Sequence, residues 1–313
     1  MKRFKISLIK LIKNLSLWEK IFSSFLIIVF LIIIINYVHN FYGIKENFDK
    51  RGKLIVKKGN NVYDNFYVNM YDKLVFCEQK NDFEFITIKN NIKLSNQSNI
   101  LDIGSGTGHH VADFTKKGYN IKGLDLSPSM VKYSKTKYPS SKYILGDALD
   151  LMLFPQQSFT HLTCLYFTIY YIENKKQFFE NCYNWLLPGG YLILHLVDRD
   201  NFDPILPAGD PLTIISAQKY AKKRITSTVV KFKGYDYRSN FDYKPNKNLA
   251  IMNEEFKNTK TGDIRKNEHI LYMPTQQYIL SLAKDMGFIL HSKHSMIKCQ
   301  YDKQYIYILE KPN

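Results

Sequence analysis

The sequence predicts an α/β protein with a doubly wound, mainly parallel seven-stranded sheet, an antiparallel β insertion after the fifth strand, and an apolar N-terminal helix. Between residues 99 and 197, short β-favouring runs alternate with helical patterns. Residues 199–274 break this alternation with short β-like runs, and residues 21–38 carry no charged side chain. An alternation of strands and helices is typical of a parallel sheet that binds ligands beyond the carboxyl ends of its strands.

The first 61 residues are predicted to attach the chain to a membrane. Residues 1–20 place apolar side chains at three- and four-residue spacing with lysines between them, which predicts a basic amphipathic segment. Residues 21–38 predict a transmembrane helix, and the polar residues 39–61 predict a linker. A cleaved signal peptide is the alternative, but no small-x-small cleavage site follows the apolar run.

Positive charge is concentrated at this end of the chain. Residues 1–60 contain twelve Lys or Arg against three Asp or Glu, which accounts for +9 of the net charge of +16. The other 253 residues carry the remaining +7, so the composition does not favour a nucleic-acid partner. The charges do not orient the helix, because residues 1–20 and 39–58 each contain six Lys or Arg.

Residues 62–313 are predicted to form the globular domain. One broken or two short helices are expected within residues 65–92. The parallel strands are predicted at residues 99–103, 119–126, 142–145, 161–167 and 191–197. Three helices are predicted between them: one that follows the first strand and ends near residue 117, one at residues 128–138 and one at residues 175–187. After the insertion at residues 199–274, a helix at residues 275–286 and strands at residues 288–293 and 304–310 complete the domain.

A glycine-rich turn follows the first of these strands, with Gly104, Gly106 and Gly108 at alternate positions. Glycines allow a sharp turn and a close approach to a ligand, and the free N–H groups of a helix start favour groups that accept hydrogen bonds. The dinucleotide fingerprint GxGxxG requires a glycine where this chain has His109. A nicotinamide-dependent oxidoreductase is therefore disfavoured.

The run from Leu101 to Gly108 resembles the first motif of class I S-adenosylmethionine-dependent methyltransferases, an acidic and an apolar residue followed by GxGxG. The resemblance implies a Rossmann-like methyltransferase fold and S-adenosylmethionine as cofactor. It implies that Asp125 accepts hydrogen bonds from the ribose hydroxyls, that Asp147 lies near the adenine amino group, and that Asp102 contacts the methionine end. The full set of implied cofactor-binding residues is Asp102, Gly104, Ser105, Gly106, Gly108, Asp125, Leu126, Asp147 and Ala148.

Two departures from the family pattern bear on function. The fourth strand opens with Phe159-Thr160 where the family usually has Phe-Asp, which removes a carboxylate but no cofactor contact. The Asn/Asp-Pro-Pro-aromatic motif, frequent in methyltransferases that act on nucleic-acid bases, is missing after this strand. The chain looks like the small-molecule branch, in which an insertion and an upstream helical segment, here around Tyr63, Tyr67 and Tyr71, close over the acceptor.

Three residues are candidates for catalysis by position. An amine acceptor needs only to arrive deprotonated, whereas a hydroxyl acceptor benefits from a general base. His195 within the fifth strand and Asp198 just after it are candidate bases, and Tyr166 is a candidate lining residue. Packing or polar lining is the alternative role for each. The four cysteines show no CxxC pair, so neither a metal site nor a disulfide framework is predicted, and buried thiols are expected.

The predicted function is direct in-line methyl transfer to a small-molecule or lipid-like acceptor, with the aromatic insertion as acceptor pocket. The membrane anchor motivates the lipid option. A catalytically inactive, membrane-tethered scaffold of the same fold is one alternative, and a protein or RNA methyltransferase is another. Because S-adenosylmethionine is made and used in the cytosol, we expect a single-pass membrane protein whose domain faces the cytosol.

Overall fold

The structure is a computed structural model that describes residues 16–45, 52–209, 218 and 221–313. The described residues fall into two compact units. The smaller contains the N-terminal helix and the turn Lys260–Asp263, and the larger contains Leu54–Thr259 and Ile264–Asn313. Most of the predicted basic segment, residues 1–15, lies outside the described residues, as do residues 46–51 of the predicted linker and residues 210–217 of the insertion.

The described residues form eight α-helices and twelve β-strands. The helices are α1 (Leu17–Lys45), α2 (Asn65–Val75), α3 (Glu78–Asn91), α4 (His109–Lys116), α5 (Pro128–Lys137), α6 (Thr168–Tyr171), α7 (Lys175–Trp185) and α8 (Gln276–Asp285). The strands are β1 (Leu54–Lys58), β2 (Asn99–Ile103), β3 (Asn120–Asp125), β4 (Lys142–Leu145), β5 (Phe159–Cys164), β6 (Leu186–Val197), β7 (Ser227–Phe232), β8 (Tyr235–Lys244), β9 (Leu249–Asn258), β10 (Ile264–Tyr272), β11 (Ile289–Ser295) and β12 (Gln304–Glu310).

Helix α1 begins earlier than the predicted span. The backbone N–H of Ser16 donates to the Glu19 carboxylate at 2.7 Å, and the Glu19 N–H donates to the Ser16 hydroxyl at 3.3 Å. This reciprocal pair is a capping box, which starts the helix at Leu17. The stretch Leu17–Ile35 has a mean hydropathy of 2.3 and is long enough to cross a membrane. A signal sequence has the same length and composition, so α1 is a candidate membrane span.

The larger sheet has seven strands in the order β11-β12-β6-β5-β2-β3-β4. Strands β6, β5, β2, β3 and β4 pair in parallel, and β12 is antiparallel to both β6 and β11. The chain order reverses on either side of β2, because β3 lies on one flank and β5 on the other. In doubly wound sheets such a reversal opens a ligand crevice at the carboxyl ends of the strands.

The second sheet has five strands in the order β1-β10-β9-β8-β7. Strands β7 to β10 form the antiparallel insertion, and β1 adds to its edge in parallel with β10. Strand β1 lies within the predicted linker. Local sequence patterns do not predict this strand, because a five-residue edge strand depends on its partner, and Leu54 pairs with Ile264, which is 210 residues further along the chain.

Apolar side chains cover both faces of the seven-stranded sheet. Adjacent residues of β6 point to opposite faces: Leu192 belongs to a cluster with Trp185 of α7, whereas Ile193 belongs to a cluster with Phe85 of α3. A third cluster joins α2 to the five-stranded sheet. All four cysteines are free thiols, and three of them are buried.

Candidate active site

A cavity of about 940 Å³ lies at the carboxyl ends of the parallel strands and extends to the five-stranded sheet. Seven of the residues predicted for the site line it: Gly104, Gly106, Asp125, Leu126, Asp147, Ala148 and Tyr166. The other five predicted residues, Asp102, Ser105, Gly108, His195 and Asp198, do not line it. The structure thus brings six of the nine residues predicted to bind the cofactor together at the ends of β2, β3 and β4, but it does not bring the two predicted bases to the cavity.

Two glycines of the turn after β2 shape the cavity wall. Gly104 has φ +73°, and a Cβ there would lie 2.3 Å from Cγ2 of Thr168, so no side chain fits. Gly106 has φ +54°, and a Cβ there would have only Tyr71 Cε1 within 4 Å, at 3.8 Å. Gly106 therefore leaves free space where a ligand can approach the backbone.

The remaining residues of the motif support the turn from behind. A Cβ on Gly108 would lie 2.6 Å from the Tyr143 hydroxyl, so this glycine allows α4 to pack against the sheet. The Asp102 carboxylate accepts a hydrogen bond from the Thr163 hydroxyl at 2.6 Å, and burial raises the pKa of Asp102. Ser105 packs against β3, since a Cβ on Gly123 would lie 2.6 Å from its Oγ.

Asp125, the last residue of β3, presents a carboxylate that accepts hydrogen bonds at the cavity. Its Oδ2 accepts a hydrogen bond from the Gly106 N–H at 2.8 Å, and its Oδ1 accepts one from the Ser127 N–H at 2.9 Å. Burial raises the pKa of Asp125 to about 6, although these two N–H groups act in the opposite direction. Each carboxylate oxygen has a further lone pair, so the side chain can also accept hydrogen bonds from a vicinal diol.

Asp147 and Ala148 line the cavity after β4. Asp147 Oδ1 accepts a hydrogen bond from the Leu149 N–H at 2.9 Å, which fixes the turn. The Ala148 carbonyl accepts a hydrogen bond from the Asn181 side chain at 2.9 Å. Leu126 is 47% exposed and presents an apolar surface between these groups and Asp125.

The predicted catalytic residues occupy different environments. Tyr166 lies in the cavity wall in a left-handed conformation, φ +53°. It follows the end of the strand, which is at Cys164 and not at the predicted residue 167. His195 is fully buried in β6, and burial lowers its pKa to about 4. Asp198 accepts hydrogen bonds from the Asp200 N–H and the Asn201 side chain, and so stabilises a turn.

Helix α2 covers the glycine turn through a cluster around Asp72. This carboxylate accepts hydrogen bonds from the Thr107 hydroxyl at 2.6 Å and from Lys137 at 2.8 Å, and lies 2.9 Å from His109 Nε2. Burial alone would raise the pKa of Asp72, but these three partners lower it to about 2. His109, which replaces the third fingerprint glycine, thus ties α2 to the turn and positions Tyr71 in the cavity wall.

A chain of hydrogen bonds from the insertion to the cavity was not predicted from the sequence. The Tyr171 hydroxyl lies 3.1 Å from His269 Nδ1, and His269 Nε2 lies 2.8 Å from Glu254 Oε2. Glu254 and His269 are buried, whereas Tyr171 lines the cavity. Glu254 and His269 belong to the insertion at residues 199–274, which was predicted to form the acceptor pocket, but their contact depends on the register of β9 and β10. No group of three or more His, Cys, Asp or Glu side chains suited to a metal occurs among the described residues.

Comparison with known proteins identifies the central part of the chain. Residues 101–194 match the family described as methyltransferase domain. Phosphoethanolamine N-methyltransferase of Plasmodium falciparum is 28% identical over 123 residues, which are 37% of this chain and 46% of that protein. Demethylmenaquinone methyltransferase of Chlorobaculum tepidum is 34% identical over 104 residues, 32% of this chain and 42% of that protein. The chain thus matches less than half the length of these curated relatives.

A solved structure shares the fold over most of both chains. The S-adenosylmethionine-bound amino pentose methyltransferase CalS10 of Micromonospora echinaspora superposes with a TM-score of 0.54 at 17% identity, covering 79% of this chain and 96% of its own. At this identity the likeness shows the fold alone. Together with the match at residues 101–194, the turn at Gly104 and Gly106 and the carboxylate of Asp125 fit the nucleoside cofactor that the sequence implied. Residues 101–194 thus match a methyltransferase domain, and the chain shares the fold of the solved methyltransferase to which it is similar.

Proposed function

We propose that the chain transfers a methyl group from S-adenosylmethionine to a small-molecule acceptor, with an amine as the favoured acceptor group. The observation that carries the proposal is the single cavity that joins two walls. We call the cofactor wall the lining residues of the glycine turn and of the ends of β3 and β4, namely Gly104, Gly106, Asp125, Leu126, Asp147 and Ala148. We call the acceptor wall the aromatic lining residues opposite, namely Tyr63, Tyr71, Tyr166 and Tyr171.

The cofactor wall fits S-adenosylmethionine in its chemistry. In the proposed complex Asp125 accepts hydrogen bonds from the ribose hydroxyls and Asp147 accepts one from the adenine amino group. Both carboxylates line the cavity, and Gly106 leaves free space for the ligand. When bound, the cofactor supplies a sulfonium methyl group that is already activated for transfer. The protein's own task is to hold the acceptor in line and to exclude water. Helix α2, fixed by Asp72, closes this side of the cavity.

The charge of the lining favours a neutral or cationic acceptor. Among the described residues that line the cavity, five carry carboxylates and one carries an ammonium group: Asp64, Asp125, Asp147, Glu173 and Asp203 against Lys57. An excess of carboxylates attracts a protonated amine. The tyrosine rings of the acceptor wall add favourable contacts to an ammonium group, because a cation is attracted to the face of an aromatic ring. Two of the similar proteins named above act, by name, on amine-bearing compounds.

Two measurements on the full-length protein in mild detergent test the proposal. Calorimetric titration with S-adenosylmethionine measures binding to the cofactor wall. Formation of S-adenosylhomocysteine with phosphoethanolamine, glucosamine and a catechol then measures turnover with amine and hydroxyl acceptors. Turnover that is largest with an amine supports the proposal. Binding without turnover of any acceptor contradicts it and favours a cofactor-binding scaffold.

A lipid acceptor is the second candidate, and helix α1 is the observation that favours it. Its stretch Leu17–Ile35 has the length and hydropathy to enter a bilayer, which would hold the protein near lipid headgroups. Vesicles of phosphatidylethanolamine, compared with soluble phosphoethanolamine, separate the two candidates. Transfer of labelled methyl to the vesicle lipid alone would replace the small-molecule proposal with the lipid one.

A further inference from the structure

We infer that Tyr171, His269 and Glu254 form a proton relay in which the Tyr171 hydroxyl takes the proton that the acceptor loses on methylation. The inference rests on the proposed function and deepens it, because it assigns the base of the reaction. Tyr171 is the group that contacts the acceptor, and His269 and Glu254 act through it. The three residues come from α6, β10 and β9, so only the folded chain brings them into line.

Glu254 is the anionic end of the relay. Its Oε1 accepts hydrogen bonds from the hydroxyls of Tyr67 at 3.0 Å and Tyr237 at 2.7 Å. Its Oε2 accepts one from the Asn267 amide at 3.0 Å and lies 2.8 Å from His269 Nε2. Burial acts to raise the pKa of Glu254, but His269, Asn267 and Tyr237 lower it below the ordinary value. A fully buried carboxylate surrounded by donors is ionised, so every contact to it must come from a hydrogen-bond donor.

This ionised carboxylate fixes the tautomer of His269. Since Glu254 Oε2 can only accept, His269 Nε2 carries the proton, and in the neutral ring Nδ1 is then an acceptor. The partner of Nδ1 is the Tyr171 hydroxyl at 3.1 Å, which donates the hydrogen bond when the ring is neutral. His269 is 1% exposed, so water does not compete for either ring nitrogen. A base oriented by a carboxylate and bonded to a hydroxyl is the arrangement that activates hydroxyl groups in hydrolases.

Tyr171 connects this buried pair to the reaction space. Its side chain lines the cavity together with Gly104 and Tyr166, whereas Glu254 and His269 lie behind it. Burial raises the pKa of Tyr171, so the phenol is neutral and can pass a proton on only if it is replaced at the same time. The Tyr63 ring packs edge-on against Tyr171 and His269, with centroids 5.8 Å from each, and holds both in place.

The proton balance of the step is complete within the relay. The acceptor nitrogen or oxygen gives its proton to the Tyr171 oxygen, while the Tyr171 proton moves to His269 Nδ1. The electron pair left on the acceptor forms the new bond to the methyl carbon, and the pair of the broken carbon–sulfur bond stays on sulfur. His269 becomes an imidazolium beside the Glu254 carboxylate, which stabilises the charge. Opening of the cavity then releases the proton to solvent.

The relay reaches the cavity through Tyr171, whereas the two bases predicted from the sequence, His195 and Asp198, do not line the cavity. His195 is buried outside the cavity lining, where its Nδ1 lies 4.0 Å from Glu84 Oε1. Asp198 is outside the lining too, where it stabilises a turn. Tyr166 lines the cavity, and the ammonium group of Lys80 lies over its ring, 5.2 Å from the ring centroid.

The first test needs no acceptor. Full-length protein labelled with ¹⁵N-histidine contains eight histidines, and the signal lost in His269→Gln assigns His269. We expect a neutral ring protonated at Nε2, with an Nδ1 shift that changes in Tyr171→Phe. The matched control is Tyr307→Phe, which removes a buried hydroxyl bonded to Gln276 at 2.6 Å outside the cavity. A ring protonated at Nδ1 would overturn the relay. A ¹⁵N chemical shift of Nδ1 that is the same in the wild-type protein and in Tyr171→Phe would also overturn it.

The second test is kinetic and uses whichever of phosphoethanolamine, glucosamine and catechol gives the most S-adenosylhomocysteine. Because general-base catalysis contributes about 10²–10⁴-fold, we expect Tyr171→Phe to lower kcat by about 100-fold. The KM for S-adenosylmethionine should stay within about twofold, because the cofactor wall is untouched. Glu254→Gln, which keeps the size of the side chain, should lower kcat by about tenfold, since it removes the charge that stabilises the imidazolium.

The two proposals fail in different ways. If the wild-type protein binds S-adenosylmethionine but turns over no acceptor, the proposed function fails. If the wild-type protein turns over an acceptor and Tyr171→Phe retains its kcat, the relay fails and the proposed function stands. If Tyr171→Phe raises the KM for S-adenosylmethionine by as large a factor as it lowers kcat, the relay is also overturned, because Tyr171 would then have a structural role.

Discussion

The two walls of the cavity are built in different ways. The cofactor wall consists largely of the backbone of the glycine turn and of two carboxylates, and its residues follow the ends of three neighbouring strands, β2, β3 and β4. The acceptor wall consists of side chains from α2 and the turn before it, from the turn after β5 and from α6, and it rests on buried groups of the five-stranded sheet. A wall made of backbone tolerates few substitutions at its glycines. A wall made of side chains can change its specificity one residue at a time.

The comparison predicts that a glycine of the cofactor wall is indispensable. In Gly106→Arg the new side chain would enter the free space in front of the turn, at a φ of +54° that only glycine adopts easily. We expect no detectable binding of S-adenosylmethionine by calorimetric titration. Gly118→Arg is the matched control, because Gly118 also has a positive φ, +86°, with nothing within 4 Å of its Cβ position. Unchanged binding in Gly106→Arg would remove Gly106 from the cofactor site. An equal loss of binding in both variants would show that backbone strain, and not the position in the wall, abolishes binding.

Asp125, the carboxylate of the cofactor wall at the end of β3, should have the next largest effect. Asp125→Asn keeps one acceptor oxygen but loses the charge, and hydrogen bonds to charged groups contribute about 1.5–3 kcal/mol. We therefore expect the affinity for S-adenosylmethionine to fall by about 10–100-fold in the same titration. In the control, Asp150→Asn, the aspartate likewise accepts a hydrogen bond from the N–H two residues ahead but lies outside the cavity. An unchanged affinity in Asp125→Asn would remove Asp125 from the site.

The raised pKa of Asp125 predicts a pH dependence of cofactor binding. Above pH 6 the group is ionised and accepts hydrogen bonds from the ligand, and below about pH 6 it binds a proton and loses acceptor capacity. The affinity for S-adenosylmethionine should therefore fall by up to about tenfold per pH unit below pH 6, as expected for one coupled proton. Asp125→Asn should show no such decrease between pH 7 and pH 5. A decrease of the same size in the variant would assign the titration to another group.

The smallest effect is expected behind the acceptor wall. Tyr237→Phe removes one of the four donors to Glu254 and is predicted to lower the free energy of unfolding by about 1.5 kcal/mol. The affinity for S-adenosylmethionine should not change, because Tyr237 does not line the cavity. Urea unfolding followed by circular dichroism, together with the calorimetric titration, measures both. A loss of cofactor affinity would mean that the two walls are coupled more closely than their construction indicates.

The sequence by itself determined the sheet and the cofactor wall. The local sequence contains the turn from Gly104 to Gly108, Asp125 at the end of the next strand, and Asp147 just after the strand that follows. A sharp turn depends on glycines at fixed positions, and the ends of parallel strands meet at one edge of a sheet. Position along a strand was enough, therefore, to place these residues around one cavity.

The tertiary structure alone decided which side chains meet at the acceptor wall. Strand β1 has no signal of its own, because its partner β10 lies about 200 residues away. Tyr171 of α6 and His269 of β10 are 98 residues apart in the chain, and the register of β9 and β10 sets Glu254 opposite Asn267, two residues from His269 on the same face. His195 was a reasonable candidate from its place in the fifth strand, yet the alternation of β6 turns it into the core. Contacts between distant side chains follow from packing, which local sequence patterns do not encode.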